Sequence, residues 1–153
     1  MQRSLVGSEM CIRDSNNILY FEIKGNGTNL IESSKILTME SKIIKLAVDQ
    51  DKFRCDHLVV ATDDDNLISI ISLDTSSSTF MEILSFQQLN DQINDVVMNG
   101  TTFYVGLQNG IYVKSKFASK EGEILNTNQK FMGTKPIRLS VIDKALLTLQ
   151  DEY

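Results

Sequence analysis

The chain has 153 residues, is 42% hydrophobic, and carries a formal net charge of −5 with an isoelectric point near 4.8. Its basic residues are scattered among acids, whereas nucleic-acid-binding domains usually cluster Lys and Arg, so we expect no direct nucleic-acid contact from this chain. It has no apolar run near the roughly 20 residues of a membrane span and no polybasic tail, which argues against a membrane partner.

The first 14 residues are predicted not to be native. Residues 5–14 read LVGSEMCIRD, the in-frame translation of a transposon-end adapter used to prepare sequencing libraries. We therefore predict that residues 1–14 are adapter-derived and poorly ordered or unpacked, and that residues 15–153 are a fragment of a longer protein. With Cys11 set aside, Cys55 is the remaining cysteine, so neither an internal disulfide nor a cysteine-based zinc cluster can form.

From residue 15 onwards, short runs rich in β-branched and aromatic residues alternate with turn formers, and no helix-sized window shows sustained 3.6-residue periodicity. The predicted class is all-β. Short turns at 25–27, 63–65, 99–100, 108–110 and 143–144 predict antiparallel pairing, and the turn before Ile111 is expected to need positive φ at Asn109 and Gly110. The predicted strands are 18–24, 30–37, 43–48, 58–62, 67–73, 81–86, 93–98, 102–106, 111–117, 127–132, 137–141 and 145–149.

A repeat connects these strands. The hairpin 59–70 matches the hairpin 103–113 at an offset of about 45 residues, with Asn66 aligned to Asn109, and four strands in about 40 to 50 residues are typical of a propeller blade. The chain is thus predicted to be a partial β-propeller of about three blade-equivalents of four-stranded antiparallel sheets. Whole blades are expected at 43–86 and 93–132, two outer strands of a preceding blade at 18–37, and two inner strands of a following blade at 137–149. A β-sandwich is the alternative.

Three groups of residues could suggest a metal, nucleotide or catalytic site, but the sequence around each group argues against that interpretation. The run 63–65, Asp-Asp-Asp, could attract a hard cation, but Ile68 stands where a calcium loop needs glycine. Residues 25–30, GNGTNL, lack the third glycine and the helix of a dinucleotide site. His57 lies beside Cys55 and Asp56 without a recognisable nucleophile turn. We predict no catalytic residue, no metal ligand and no cofactor.

Four motifs together carry a family resemblance: FYVGLQNGIYV at 103–113, MGTKPIRL at 132–139, NNILYFEI at 16–23 and NLISIISLD at 66–74. They resemble the family that comprises the third subunit of splicing factor 3b, damaged-DNA-binding protein 1 and the large subunit of the cleavage and polyadenylation specificity factor, within the second of its three β-propellers. The resemblance is weakest at 74–99. It implies that its motif residues are architectural, at blade turns and strand starts: Gly106, Asn109, Gly110, Gly133 and Pro136.

The resemblance also implies a function. Residues 70–74 and 106–110 look closer to the splicing member, which implies a non-catalytic scaffold subunit of the splicing factor 3b complex that supports branch-site recognition in the nucleus. Its partners would be the other subunits of that complex and the U2 snRNP. The alternatives are a cullin-type ubiquitin-ligase adaptor resembling damaged-DNA-binding protein 1, an mRNA cleavage and polyadenylation scaffold, or an enzyme acting in the propeller channel. The last would need acids, histidines or metal ligands on innermost strands, which offer mainly Lys45, Asn94 and Asp95.

Overall fold

The computed structural model describes residues 2–6, 9–14, 16–24, 29–32, 35–49, 55–142 and 145–150; the predicted turns at 25–27 and 143–144 lie outside these ranges. Every regular element within them is a β-strand, and no helix there could cross a bilayer. The strands are β1 (Gln2–Val6), β2 (Glu9–Asp14), β3 (Asn17–Lys24), β4 (Asn29–Glu32), β5 (Leu37–Thr38), β6 (Ile43–Ala47), β7 (His57–Thr62), β8 (Leu67–Ser72), β9 (Ile83–Gln88), β10 (Ile93–Asn99), β11 (Thr102–Leu107), β12 (Ile111–Phe117), β13 (Ile124–Phe131), β14 (Ile137–Ile142) and β15 (Ala145–Gln150).

Two complete four-stranded sheets occupy the middle of the chain. Their orders are β6-β7-β8-β9 and β10-β11-β12-β13, and strands that follow one another in sequence pair antiparallel. Both have a bulge at the same place in the first strand, between Ile43 and Lys45 and between Ile93 and Asp95. The two predicted blades are confirmed. We call β6–β9 the first blade and β10–β13 the second blade.

A two-stranded antiparallel sheet, β14–β15, stands beside the second blade, and we call it the following blade. Strand β10 packs against both β6 and β14. The first strands of three successive sheets are therefore neighbours, as they are around the axis of a propeller. The predicted partial β-propeller, with two inner strands of another blade at its end, is confirmed.

The leading sheet, β1 to β5, includes two strands from the segment that was predicted to be poorly ordered or unpacked. Strand β2 pairs with β3 from Glu9↔Glu22 to Asp14↔Asn17, and β1 pairs with β2. The backbone of residues 2–6 and 9–14 thus forms paired strands, because the open edge of β3 presents N–H and C=O groups that an adjoining strand can satisfy. The adapter origin of residues 1–14 stays a prediction. Strands β3 and β4 take the third and fourth places of the sheet, where two outer strands were predicted.

The predicted strand 30–37 is two short strands. Phe21 pairs with Glu32 in β4, and Ile18 pairs with Leu37 in β5. Four positions, 33–36, lie between the paired residues Glu32 and Leu37. Only two positions, 19–20, lie between their partners in β3. One continuous ladder cannot hold both registers.

Two other strands begin two or more residues away from the predicted start. Strand β9 begins at Ile83 and not at Met81, because Met81 has φ 58°, outside the extended region, and closes a turn by donating its N–H to the Ser72 carbonyl. Strand β13 begins at Ile124, three positions before the predicted Thr127, because Ile124 pairs with Phe117 across the hairpin.

The core lies between the stacked sheets. Residues 58–61 and Ile68, Ile70 and Ile71 are all 0% exposed and belong to one cluster with Phe103, Val113 and Phe117. Both faces of the first blade are covered, which explains why its central strands read as continuous apolar runs and not as an alternation.

The repeat has a register that differs by one residue from the predicted one. Leu89 donates its N–H to the Asn66 carbonyl as Met132 does to the Gly110 carbonyl, and both Asn66 and Gly110 have positive φ, 50° and 84°. Asn66 is thus equivalent to Gly110 and not to Asn109, because the hairpin loop has four residues in the first blade and three in the second.

Candidate functional site at the blade junctions

The five motif residues singled out in the sequence lie at or near the junction between the second and following blades. Gly110 closes the loop between β11 and β12, where a Cβ atom would overlap the carbonyl oxygen of Gly133. Gly106 is in strand β11 and not in a turn, and a Cβ there would lie 2.6 Å from the backbone oxygen of Ile137. Pro136 immediately precedes β14. At Gly106 and Gly110 the chain approaches a neighbouring backbone more closely than a side chain would allow.

Asn109 does not have the positive φ expected of it. A three-residue hairpin loop commonly ends with a single left-handed residue, and here that residue is Gly110. Asn109 acts instead through its side chain, whose Oδ1 accepts a hydrogen bond from the Ile111 N–H at 3.1 Å. Its role is to fix the turn that delivers β12 to the sheet.

Asp95 connects all three first strands. Its Oδ1 lies 3.1 Å from Lys45 Nζ on β6, and its Oδ2 accepts the Leu139 N–H of β14 at 2.9 Å. Oδ1 also accepts the Val96 N–H at 2.9 Å. The Asp95 side chain is 13% exposed and that of Lys45 is 39% exposed, so the carboxylate is held in place by fixed donors and not by solvent.

Asn94 adds a second connection beside it. Its Nδ2 donates to the Ile137 carbonyl at 2.8 Å, while its Oδ1 accepts from Gln108 Nε2 at 2.8 Å. The innermost polar residues considered for an enzymatic channel are therefore engaged in joining blades. Their polar atoms contact groups of the second blade itself and of the neighbouring blades, an arrangement that favours architecture over chemistry.

The acidic turn at 63–65 is also engaged. Asp63 Oδ1 accepts a hydrogen bond from Gln92 Nε2 at 3.0 Å, which joins the first blade to the segment entering the second. Asp65 Oδ1 accepts from the Thr62 hydroxyl at 2.7 Å, and Asp64 is exposed. In the described part of the chain, no group of three or more His, Cys, Asp or Glu side chains could hold a metal ion.

The surroundings of His57 form a small cavity of about 50 Å³ between the first and second blades, bordered also by Asp49, Cys55, Met98 and Gly100. The His57 ring packs against Phe117 with 4.9 Å between centroids, and Cys55 Sγ donates to the Asp49 carbonyl at 3.0 Å. Asp49 is 5% exposed and accepts the Gly100 N–H at 3.0 Å. The contacts from His57 to Phe117 and from Asp49 to Gly100 join the two blades.

The outer part of the second blade carries a surface that sequence reasoning missed. Tyr104 and Tyr112 stack with 6.1 Å between ring centroids, and Lys114 Nζ lies 6.0 Å from the Tyr104 centroid, within cation–π range. Burial, and secondarily Tyr104, raises the pKa of Tyr112 to about 12. The alternation of these residues along β11 and β12 is the signal that could have found them. We call Tyr104, Gly106, Tyr112 and Lys114 the tyrosine face.

Comparison with known proteins identifies the architecture. The family model described as the RSE1/DDB1/CPSF1 second beta-propeller matches residues 8–145, a span that includes part of the segment before Ser15. Two solved structures share the fold: Saccharomyces cerevisiae Sqt1, with a TM-score of 0.71, 13% identity, and coverage of 93% of this chain and 39% of that one, and BamB from Moraxella catarrhalis, with a TM-score of 0.65, 15% identity, and coverage of 97% and 39%.

Curated relatives agree with the family match. The chain is 28% identical to Pre-mRNA-splicing factor RSE1 of Saccharomyces cerevisiae over 94% of its length and 32% identical to Pre-mRNA-splicing factor RSE1 of Pyricularia oryzae over 82%. It is 25% identical to Pre-mRNA-splicing factor prp12 of Schizosaccharomyces pombe over 91%. The chain spans 11% to 12% of the length of these relatives. The chain belongs to the RSE1/DDB1/CPSF1 second β-propeller family.

Proposed function

We propose that this chain is part of a non-catalytic scaffold subunit of the splicing factor 3b complex, which works in the nucleus and supports recognition of the pre-mRNA branch site. The observation that carries the proposal is the similarity of nearly the whole chain to relatives named pre-mRNA-splicing factors. The other subunits of the complex and the U2 snRNP are the proposed partners. Neither a cofactor nor a metal ion enters the proposed role.

The geometry supports a scaffold in preference to an enzyme. Lys45, Asn94 and Asp95, the polar side chains offered by the innermost strands, hold neighbouring blades together. A rigid support gains from such contacts, because paired polar groups fix neighbouring blades relative to one another. The blade junctions therefore supply stiffness.

The test uses the full-length natural protein with an affinity tag, expressed at its native level and purified from nuclear extract. We expect the purified material to contain the other splicing factor 3b subunits and U2 small nuclear RNA, and depletion of the protein to stop splicing of a reporter pre-mRNA in that extract. Recovery of a cullin, or of polyadenylation factors, without U2 RNA would favour the corresponding alternative and contradict the proposal. As a matched control, Phe131→Tyr leaves the blade junctions intact and should retain these partners.

A further inference from the structure

The outer strand of the second blade has an unpaired edge. Strand β13 pairs with β12 on one side, and no strand within the described residues pairs with it on the other side. The fourth strand of each blade lies at the rim of a propeller, where its outer edge stays unpaired even when the ring of blades is complete. We therefore expect the edge of β13 to be accessible in the complete propeller as well.

One hydrogen bond fixes the direction of the backbone groups at this edge. Met132 donates its N–H to the Gly110 carbonyl, on the side of β12. Successive residues of an antiparallel strand direct their N–H and C=O groups to opposite sides. The backbone groups of Gln129 and Phe131 therefore point away from β12, towards the free edge, where an added strand could bind them.

The edge of β13 has few of the features that keep natural edge strands unpaired. Such strands are often very short, or they carry charged side chains or a proline. Strand β13 has eight residues, a single charged side chain, Lys130, and no proline. Apolar side chains are exposed along it, Phe131 at 65% and Leu125 at 44%. Its length and composition suit it to binding another strand.

Charge indicates the chemistry of that strand. Lys130 pairs with Tyr112, and Tyr112, Lys114 and Lys116 alternate along β12, so the three lysines lie on one side of the sheet, the side of the tyrosine face. All three lysines are exposed, and none takes part in an ion pair within the described residues. Strands β12 and β13 thus carry three lysines and no acid, in a chain with a net charge of −5. Acidic side chains would complement this side.

A second copy of β13 is a poor occupant of the edge. Pairing of β13 with itself would add further lysines and no acid, and like charges across a strand pair are destabilising. Lys130 lies on one side of the sheet, whereas Gln129 and Phe131 lie on the other, because side chains alternate along a strand. A complementary strand would therefore be acidic on one side and apolar on the other.

We propose that the free edge of β13 binds an extended segment of a partner protein, which joins the second blade as a fifth strand. The side chains of this segment alternate between acidic residues, on the side of Lys130, and apolar residues, on the side of Phe131. In this mode of binding, backbone hydrogen bonds supply the affinity and alternate side chains supply the selectivity. This inference is independent of the proposed function.

The first experiment tests charge complementarity in the purified full-length natural protein. The probe is a fluorescein-labelled peptide of alternating Val and Glu, as long as β13, and its affinity is measured by fluorescence anisotropy. We expect Lys130→Glu to weaken binding at least about tenfold, and to bind a peptide of alternating Val and Lys more tightly than the natural protein does. Failure of the Val–Glu peptide to bind the natural protein would overturn the proposal.

Lys120→Glu is the matched control, because Lys120 is exposed in the turn that precedes β13 and the substitution makes the same change in charge. We expect it to change the affinity by less than about threefold, since surface charges interact weakly when they are far apart. Equal effects of Lys120→Glu and Lys130→Glu would show that the peptide responds to net charge alone, and would overturn the proposal.

The second experiment locates the bound peptide by amide hydrogen exchange. In the full-length protein with the Val–Glu peptide, we expect exchange at Gln129 and Phe131 to become at least about fivefold slower. Exchange at Lys130, whose N–H faces β12, should change less. Protection at a different strand would overturn the proposal. Protection of Gln129 and Phe131 in a dimer formed without the peptide would overturn it in favour of self-association.

Discussion

At the scale of single residues, Gly110 has two separate features that require glycine. It has φ 84°, and a Cβ added there would overlap the carbonyl group of Gly133. We expect Gly110→Val to lower the free energy of unfolding by about 3 kcal/mol or more, because left-handed backbone strain and steric overlap add. Asn109→Val should cost about 1 kcal/mol through its lost hydrogen bond to Ile111.

Asp64→Val is the matched control for these substitutions, since Asp64 is exposed in the longer loop of the first blade. Thermal unfolding of a complete second propeller carrying each substitution measures the differences. Equal shifts for Gly110→Val and Asp64→Val would show that the loop between β11 and β12 has another conformation.

Tyr112 is expected to make the stability of the second blade depend on pH in the alkaline range. Its pKa is raised from 10.0 to about 12, first by burial and then by Tyr104, so the folded state favours the neutral phenol. The associated stability is complete below pH 10 and is lost as the pH rises through about 12. We expect the phenolate absorbance that belongs to Tyr112, identified as the part lost on Tyr112→Phe, to have its midpoint at about pH 12 in the longer protein.

Tyr104→Phe tests the cause of that shift. Removal of the neighbouring phenol should lower the pKa of Tyr112 only in part, because burial is the larger cause. A midpoint near the ordinary value of 10.0 in the unsubstituted protein would contradict the packing described for Tyr112.

At the scale of strands, Asp95 couples β6, β10 and β14. Replacement by leucine removes the acceptor of the Leu139 N–H and the partner of Lys45. We expect amide hydrogen exchange at Leu139 in the complete propeller to become at least about tenfold faster, because a charge-assisted hydrogen bond contributes about 1.5 to 3 kcal/mol.

Lys45→Gln is the matched control for Asp95→Leu. The Lys45 side chain is 39% exposed, so its ion pair contributes little and exchange at Leu139 should change by less than about threefold. Equal effects of the two substitutions would mean that the ion pair, and not the backbone hydrogen bond, holds β14.

The strands and blades were predictable because their signals are local. Runs such as residues 58–61 are apolar throughout, and the Gln-Asn-Gly loop marks a hairpin. The junctions were not predictable in the same way, since Asp95 meets Leu139 across 44 residues and Gly106 meets Ile137 through their backbones. The positive φ of Met81, which delays β9, also has no sequence signal, because methionine rarely adopts that conformation.

At the scale of the whole molecule, residues 15–153 amount to about three blade-equivalents, and we expect a stack of so few blades to leave a face uncovered at each end. If each uncovered blade face leaves roughly 500 Å² of apolar surface in water, two faces forgo on the order of 25 kcal/mol of gross burial, more than the usual net stability of about 5 to 15 kcal/mol. Unpaired outer strands with exposed apolar side chains, including Phe86 at 68% and Phe131 at 65%, favour association.

Light scattering combined with thermal unfolding of purified residues 15–153 tests this account most directly. We expect an aggregated or loosely packed species without a sharp unfolding transition, while the complete second propeller, measured alongside as the control, should be a monomer that unfolds cooperatively. A monodisperse monomer of residues 15–153 with a sharp transition would show that these strands close on themselves, and would contradict the assignment of the chain as an open segment of a propeller.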